Sequence, residues 1–139
     1  MSLDDRIRCL MKILTHRSVT PWLLGTPVDV EDDVGAEIEL EASEEMAVDD
    51  RGLVHGGFTF SLADYAAMLA VNHPFVVLGR AESRFIAPVR VGEKMRAKAT
   101  VTKRDGGKRK VEVEVKVEGR GVFKGVFTCY ILDKHVLEK

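Results

Sequence analysis

The stretch Val54-His55-Gly56-Gly57-Phe58-Thr59-Phe60-Ser61-Leu62-Ala63-Asp64-Tyr65-Ala66-Ala67-Met68-Leu69-Ala70-Val71-Asn72 decides how this chain is read. It opens on a histidine and two glycines and continues as an almost wholly apolar run. Such a run predicts a helix buried on all sides. Asn72-His73-Pro74 ends it, because proline stops a helix and the residue before it avoids the helical region. One carboxylate, Asp64, stands in the middle. A carboxylate in such a helix must find a partner, lose its charge or take part in chemistry.

The segments downstream predict strands over 75–78, 80–87, 93–104, 109–118 and 121–132. Asp105-Gly106-Gly107 reads as a hairpin turn, and Glu118-Gly119-Arg120-Gly121 as another. Val111, Val113, Val115 and Val117 alternate with Glu112, Glu114, Lys116 and Glu118, so the sheet has one wet face and one that needs a cover. The long apolar helix is the only element hydrophobic enough to provide it. The expected fold is therefore α+β, a curved antiparallel sheet wrapped around one central helix.

Upstream, Ala36, Ile38 and Leu40 alternate with Glu37, Glu39 and Glu41, which predicts a half-buried strand over 34–42. Leu3, Ile7, Leu10, Met11 and Leu14 share one helical face, with Ser2 as cap and Asp4 and Asp5 in the first turn. Residues 15–33 contain Pro21, Gly25 and Pro27 and read as irregular, anchored by Trp22, Leu23 and Leu24. Residues 1–33 are thus expected to pack as a helix and irregular segment on a domain formed by residues 34–139.

With 139 residues the chain fits one domain with a proper core. Its 45% apolar and 31% charged residues indicate a folded globular protein. A net charge of −1 argues against a general nucleic-acid binder. The two cysteines, Cys9 and Cys129, are too few for a disulfide framework and read as core hydrophobes. No run suits a transmembrane helix, and the acidic start does not read as a signal peptide. A cytoplasmic location with no membrane partner is expected. His16, His55, His73 and His135 lack metal-ligand spacing.

His55-Gly56-Gly57, followed after a short apolar stretch by Leu62-Ala63-Asp64, closely resembles the motif of hotdog-fold acyl-CoA thioesterases of the phenylacetyl-CoA (PaaI-like) type. Arg84-Phe85-Ile86-Ala87-Pro88-Val89-Arg90-Val91-Gly92-Glu93 is a second family-like stretch. The resemblance covers roughly residues 34–132. It implies hydrolysis of an acyl-CoA and a homo-oligomer, dimer or tetramer, with active sites at the subunit interface. Coenzyme A would enter as part of the substrate, and no metal or redox cofactor is expected. Such enzymes commonly carry Asn six residues before the histidine. Here Asp49 occupies that position, which puts the usual role of that residue in doubt.

Within this resemblance Asp64 is the expected general base or nucleophile. The alternative is a helix carboxylate satisfied by hydroxyls or by a cross-subunit arginine. The helix N-terminus offers N–H groups and a positive dipole end to a developing oxyanion. Gly57 is the expected oxyanion donor and His55 an orienting group; a capped helix start with a satisfied histidine is the bland alternative. Asp49, Gly56, Thr59, Tyr65, Arg84 and Arg90 are candidates for substrate contact. Arg84 and Arg90, with the clusters Lys103-Arg104 and Lys108-Arg109-Lys110, could meet phosphates. Thr59 and Ser61 are otherwise small packing residues, and the basic residues otherwise a solvated face.

Nine residues separate His55 from Asp64, about 13 Å along a helix. One reacting atom cannot touch both within a subunit, so any cooperation requires antiparallel helices from two subunits across a two-fold axis. A rival reading comes from Arg84 and Val122-Phe123-Lys124-Gly125-Val126-Phe127, which also look like the effector domain of the FapR-type repressor. That domain senses malonyl-CoA without hydrolysing it. A hotdog hydratase is a second rival, although its acid–base spacing is not found here.

Overall fold

The computed structural model describes residues 2–139, apart from the side chain of Cys9. The core position expected for that thiol therefore lies outside the described residues. Cys129 is fully buried, as expected. The element order is α1 (Leu3–Lys12), α2 (Pro21–Leu24), β1 (Thr26–Glu31), β2 (Gly35–Glu41), α3 (Gly56–Val71), β3 (Val76–Phe85), β4 (Lys94–Asp105), β5 (Lys108–Val117) and β6 (Arg120–Ile131), with one 3₁₀ turn at Glu44–Met46. Six antiparallel strands form one sheet in the order β1-β2-β4-β5-β6-β3. Helix α3 packs on its inner face. This is the hotdog arrangement, an α+β fold.

The alternation in sequence becomes the two faces of the sheet. Ala36, Ile38 and Leu40 of β2, Met95, Ala97 and Ala99 of β4, and Val111, Val113, Val115 and Val117 of β5 are all buried. Each fully buried valine contributes about 1.5–3 kcal/mol of apolar transfer. Across from them α3 buries Leu62, Ala63, Ala66, Ala67, Met68, Leu69 and Ala70, as a helix without a polar face must. Among the described residues no helix is long and apolar enough to cross a membrane.

Several features differ from expectation. Residues 26–31 are not irregular but form β1, so the sheet begins before residue 34. Pro27 is tolerated because β1 is an edge strand, and the pairing slips between Pro27 and Asp29. Residues 76–85 form one strand rather than two. Its pairing with β6 slips between Leu78 and Arg80, and a side chain at Gly79 would run into the Tyr130 ring. Finally, Trp22 is 64% exposed and does not anchor the N-terminal segment, whereas Leu23 and Leu24 pack on the core.

Helix α1 carries the expected cap in reciprocal form. The Ser2 Oγ accepts from the Asp5 N–H at 3.1 Å and donates to the Asp5 carboxylate at 2.8 Å. Its apolar face nevertheless stays outside: Leu3, Ile7, Leu10, Met11 and Leu14 are all exposed. The N-terminal segment is held by Asn72, the last residue of the long motif. Asn72 sits at the C-cap of α3 in the left-handed region (φ 51°, ψ 49°), a conformation asparagine adopts readily.

Candidate active site

The loop before α3 is built to present its first turn. The Val48 N–H donates to Leu53 O at 2.8 Å, the Val54 N–H to Val89 O at 2.9 Å and the His55 N–H to Met46 O at 2.9 Å. The Asp49 Oδ1 accepts from the N–H groups of Arg51 (3.0 Å) and Leu53 (3.2 Å). Asp49 is exposed and thus pins the loop through a side-chain turn that an asparagine could make equally well.

His55 is the N-cap of α3, and its Nδ1 accepts from the Gly57 N–H at 2.7 Å. This bond has two consequences. Nδ1 must be unprotonated, so the neutral ring carries its proton on Nε2 and offers it as a donor. The Gly57 N–H is occupied, which counts against the expected role of Gly57 as oxyanion donor. The Phe58 N–H goes to His55 O at 3.0 Å. The N–H of Gly56 has no acceptor among the described residues. Among the orphan donors that every helix start leaves, the Gly56 N–H is an open one.

Beside Gly56 opens an apolar cleft of about 360 Å³, lined by Val54, Gly56, Thr59, Phe85, Ile86 and Pro88 among others. The Phe85 ring is 56% exposed, and a Cβ at Gly56 would stand 3.1 Å from it. Phe85 leans edge-on against Phe123, with ring centres 5.2 Å apart. Gly56 is therefore needed for the close approach of helix and aromatic wall. Thr59 lines the cleft but is buried, with its hydroxyl turned to the Met95 Sδ at 3.6 Å, so packing is its visible role.

Asp64 lies further along α3. Its Oδ1 is buried without a hydrogen-bond partner among the described residues. Desolvation pushes its pKa from 3.8 up to about 6. Burial, with a smaller contribution from the Asp64 charge, pushes the Cys129 thiol up to about 12, which makes Cys129 an inert neighbour. A desolvated carboxylate with a raised pKa is the kind of group that exchanges protons in active sites.

The structure brings together His55, Gly56, Gly57 and Thr59. Tyr65 departs from its expected place: it is only 3% exposed and packs in the core near His16, with ring centres 6.4 Å apart. Arg84 also departs. On β3 it alternates with Phe85, so its side chain lies on the outer face of the sheet, in a groove of about 730 Å³ with Lys98, Glu112, Glu114 and Lys124. Arg90 is exposed in the loop after β3, beside Leu53, with its N–H on Glu93. Phe85 as a wall and Gly56 as the available donor were not singled out from sequence. The second was readable, since an N-cap side chain takes the N–H of the second or third helical residue. That leaves the first.

An apolar helix enclosed by a curved antiparallel sheet, with a bare N–H at its start and a desolvated carboxylate along its length, defines a hotdog protein with the groups that acyl transfer needs. The chain belongs to the thioesterase superfamily, whose family model matches residues 51–124. Among solved structures, it is similar to the uncharacterized protein PH1136 from Pyrococcus horikoshii (54% identity, 90% of this chain and 95% of that one, TM-score 0.88). It is also similar to a mutant of the phenylacetic acid degradation protein PaaI from Thermus thermophilus (27% identity, 78% and 95%, TM-score 0.72). Among curated proteins it matches a methylthioribose-1-phosphate isomerase of Aquifex aeolicus, with 48% identity over 88% of this chain but 27% of that protein. It also matches the transcription factor FapR of Caldanaerobacter subterraneus, with 32% identity over 71% of this chain and 50% of that protein. The chain therefore spans between about a quarter and half of these curated relatives.

Proposed function

We propose that this protein is an acyl-CoA thioesterase. The observation that carries this reading is the pairing, on one helix, of an unpartnered N–H at Gly56 with an unpartnered carboxylate oxygen at Asp64. Membership of the thioesterase superfamily and likeness to a PaaI protein support the same class. In this scheme the acyl group lies in the cleft beside Phe85. The thioester oxygen faces the Gly56 N–H and the Nε2–H of His55 at the positive end of α3.

The Asp64 carboxylate takes a proton from water as the water oxygen bonds to the thioester carbon. Negative charge collects on the carbonyl oxygen and is held by Gly56 and His55. Collapse of this adduct breaks the C–S bond. The thiolate receives the proton from Asp64, giving a free acid and coenzyme A. Side chains and backbone fill every role in the scheme. Because His55 and Asp64 are separated by about 13 Å of helix, the base comes from one subunit and the donors from its partner in a homo-oligomer.

The test is thiol release from short, aromatic and medium-chain acyl-CoAs, with wild type and Asp64→Ala in parallel. Hydrolysis that collapses in the variant is expected, and the best acyl group names the substrate. The match to FapR favours a second reading, an acyl-CoA sensor that binds without hydrolysing. Tight binding of one acyl-CoA with no turnover of any would establish that reading instead.

A further inference from the structure

The outer face of the sheet is not uniformly charged. Its middle rank runs Lys98, Glu114, Lys124, Arg84 across four strands. There the charges compensate, with Glu114 3.3 Å from Lys124 and 3.8 Å from Lys116. Towards the Gly106-Gly107 hairpin the pattern changes. One rank across the same strands reads Lys103, Lys110, Thr128, Arg80, and the next sets Lys108 opposite Tyr130.

Lys103 and Lys110 thus face each other directly, an arrangement that costs stability in a sheet. Among the described residues no carboxylate lies within ion-pairing distance of Lys103, Lys108 or Lys110. Asp105 stands directly across β4–β5 from Lys108 without coming within ion-pairing distance, and Glu82, the other nearby acid, is engaged by Arg80 at 2.7 Å. Among the described residues the Thr128 hydroxyl makes no hydrogen bond either. Two adjoining hollows of about 190 and 90 Å³ share Lys108 and Lys110, and Tyr130 walls the larger one. The Tyr130 ring rests against the Gly79 bulge of β3, which holds it in place while leaving it 38% exposed.

We propose that this basic rank, Lys103, Lys108, Lys110 and Arg80 with Thr128 and Tyr130, is a binding site for a nucleotide carrying two or more phosphates. The lysines and the threonine hydroxyl would hold the phosphates, and the tyrosine ring would stack on the base. The site is at the hairpin end of the outer face. The cleft at Gly56 is at the other end of the sheet, beside the loop that precedes β4, and on the inner face. The proposal therefore does not rest on thioester hydrolysis. Two sources share the chemistry: a free nucleotide, or the 3′-phospho-ADP end of coenzyme A.

Calorimetric titration with ADP, 3′,5′-ADP, coenzyme A and inorganic phosphate tests it on wild type, a Lys108→Gln/Lys110→Gln double variant and Tyr130→Leu. A Lys116→Gln/Lys124→Gln double variant removes the two lysines that flank Glu114 in the compensated region as control, and thermal melts verify that each variant folds. Salt-sensitive nucleotide binding is expected, weakened about tenfold or more in the first double variant and in Tyr130→Leu but not in the control. Tighter binding of coenzyme A and 3′,5′-ADP than of ADP assigns the coenzyme as the source, and the reverse assigns a free nucleotide. Hydrolysis of an N-acetylcysteamine thioester, which carries no phosphate, should be unchanged in the double variant. Absence of nucleotide binding, equal binding in all variants, or binding of RNA but not of mononucleotides would overturn the proposal.

Discussion

Asp64 and Asn72 lie on the same helix, about two turns apart, and the protein treats their polar atoms in opposite ways. Asn72 is 3% exposed and every one of its amide groups is used. Its Oδ1 accepts from the Leu14 N–H at 2.8 Å, and its Nδ2 donates to Lys12 O at 2.9 Å and to the Asp32 carboxylate at 2.7 Å. It ties the N-terminal segment and the β1–β2 turn to the end of α3. Asp64 has a buried oxygen with no partner among the described residues. Saturation marks a residue kept for the fold. A desolvated, unsatisfied group costs stability, and a reaction at that position would explain why it is kept.

The sharpest way to break this contrast is Asp64→Asn, which keeps size and removes the base. Thioester hydrolysis should fall by about 10²–10⁴-fold, with the melting temperature unchanged or raised. Retained hydrolysis would remove Asp64 from the chemistry.

His55→Ala should come next, losing about 10²–10³-fold in kcat, while His55→Asn restores the helix cap without restoring activity. Joint refolding of His55→Ala with Asp64→Ala should recover part of the activity through mixed dimers. No recovery, with mixed dimers shown to form, would defeat the shared site.

Asn72→Ala should show the converse signature. Stripping partners from buried groups should cost about 1–3 kcal/mol in denaturant unfolding, with kcat of the folded fraction unaltered.

Titration separates the two residues further. Burial raises the Asp64 pKa from 3.8 to about 6. Between those values the folded protein holds a proton that the unfolded chain has released. The Asp64 contribution is therefore fully present below the lower value and lost as pH rises through the upper one. Wild type should lose stability relative to Asp64→Asn across that window in melts at successive pH values. Activity should run the other way, rising to a plateau above about pH 6 as the base ionises.

The smallest effect is expected at Asp49→Asn. The side-chain oxygen that pins Arg51 and Leu53 survives, so stability should stay within about 0.5 kcal/mol. A large change in hydrolysis there would show that its charge reaches the substrate.

Much of this was legible along the chain because the patterns are periodic and local. The all-apolar run forced α3 to be central, the valine alternation set the inner face of β5, and Asp64 stood out by its surroundings. The reading stopped where the deciding fact lies in a neighbour. Pro27 looked like a break until β1 proved to be an edge strand, where a missing N–H costs nothing. Trp22 looked like an anchor, yet it stays 64% exposed at the rim of an open surface groove beside β2.

By itself the sequence determined the α+β architecture, the turns and the identity of the suspicious carboxylate, since burial periodicity and backbone chemistry act within a few residues. Only the tertiary structure decided which first-turn N–H is open, that Arg84 points away from the cleft, that Phe85 walls it and that Asp64 finds no partner. Those facts depend on which atoms distant segments bring within hydrogen-bond reach, and no pattern along one strand or helix encodes that distance.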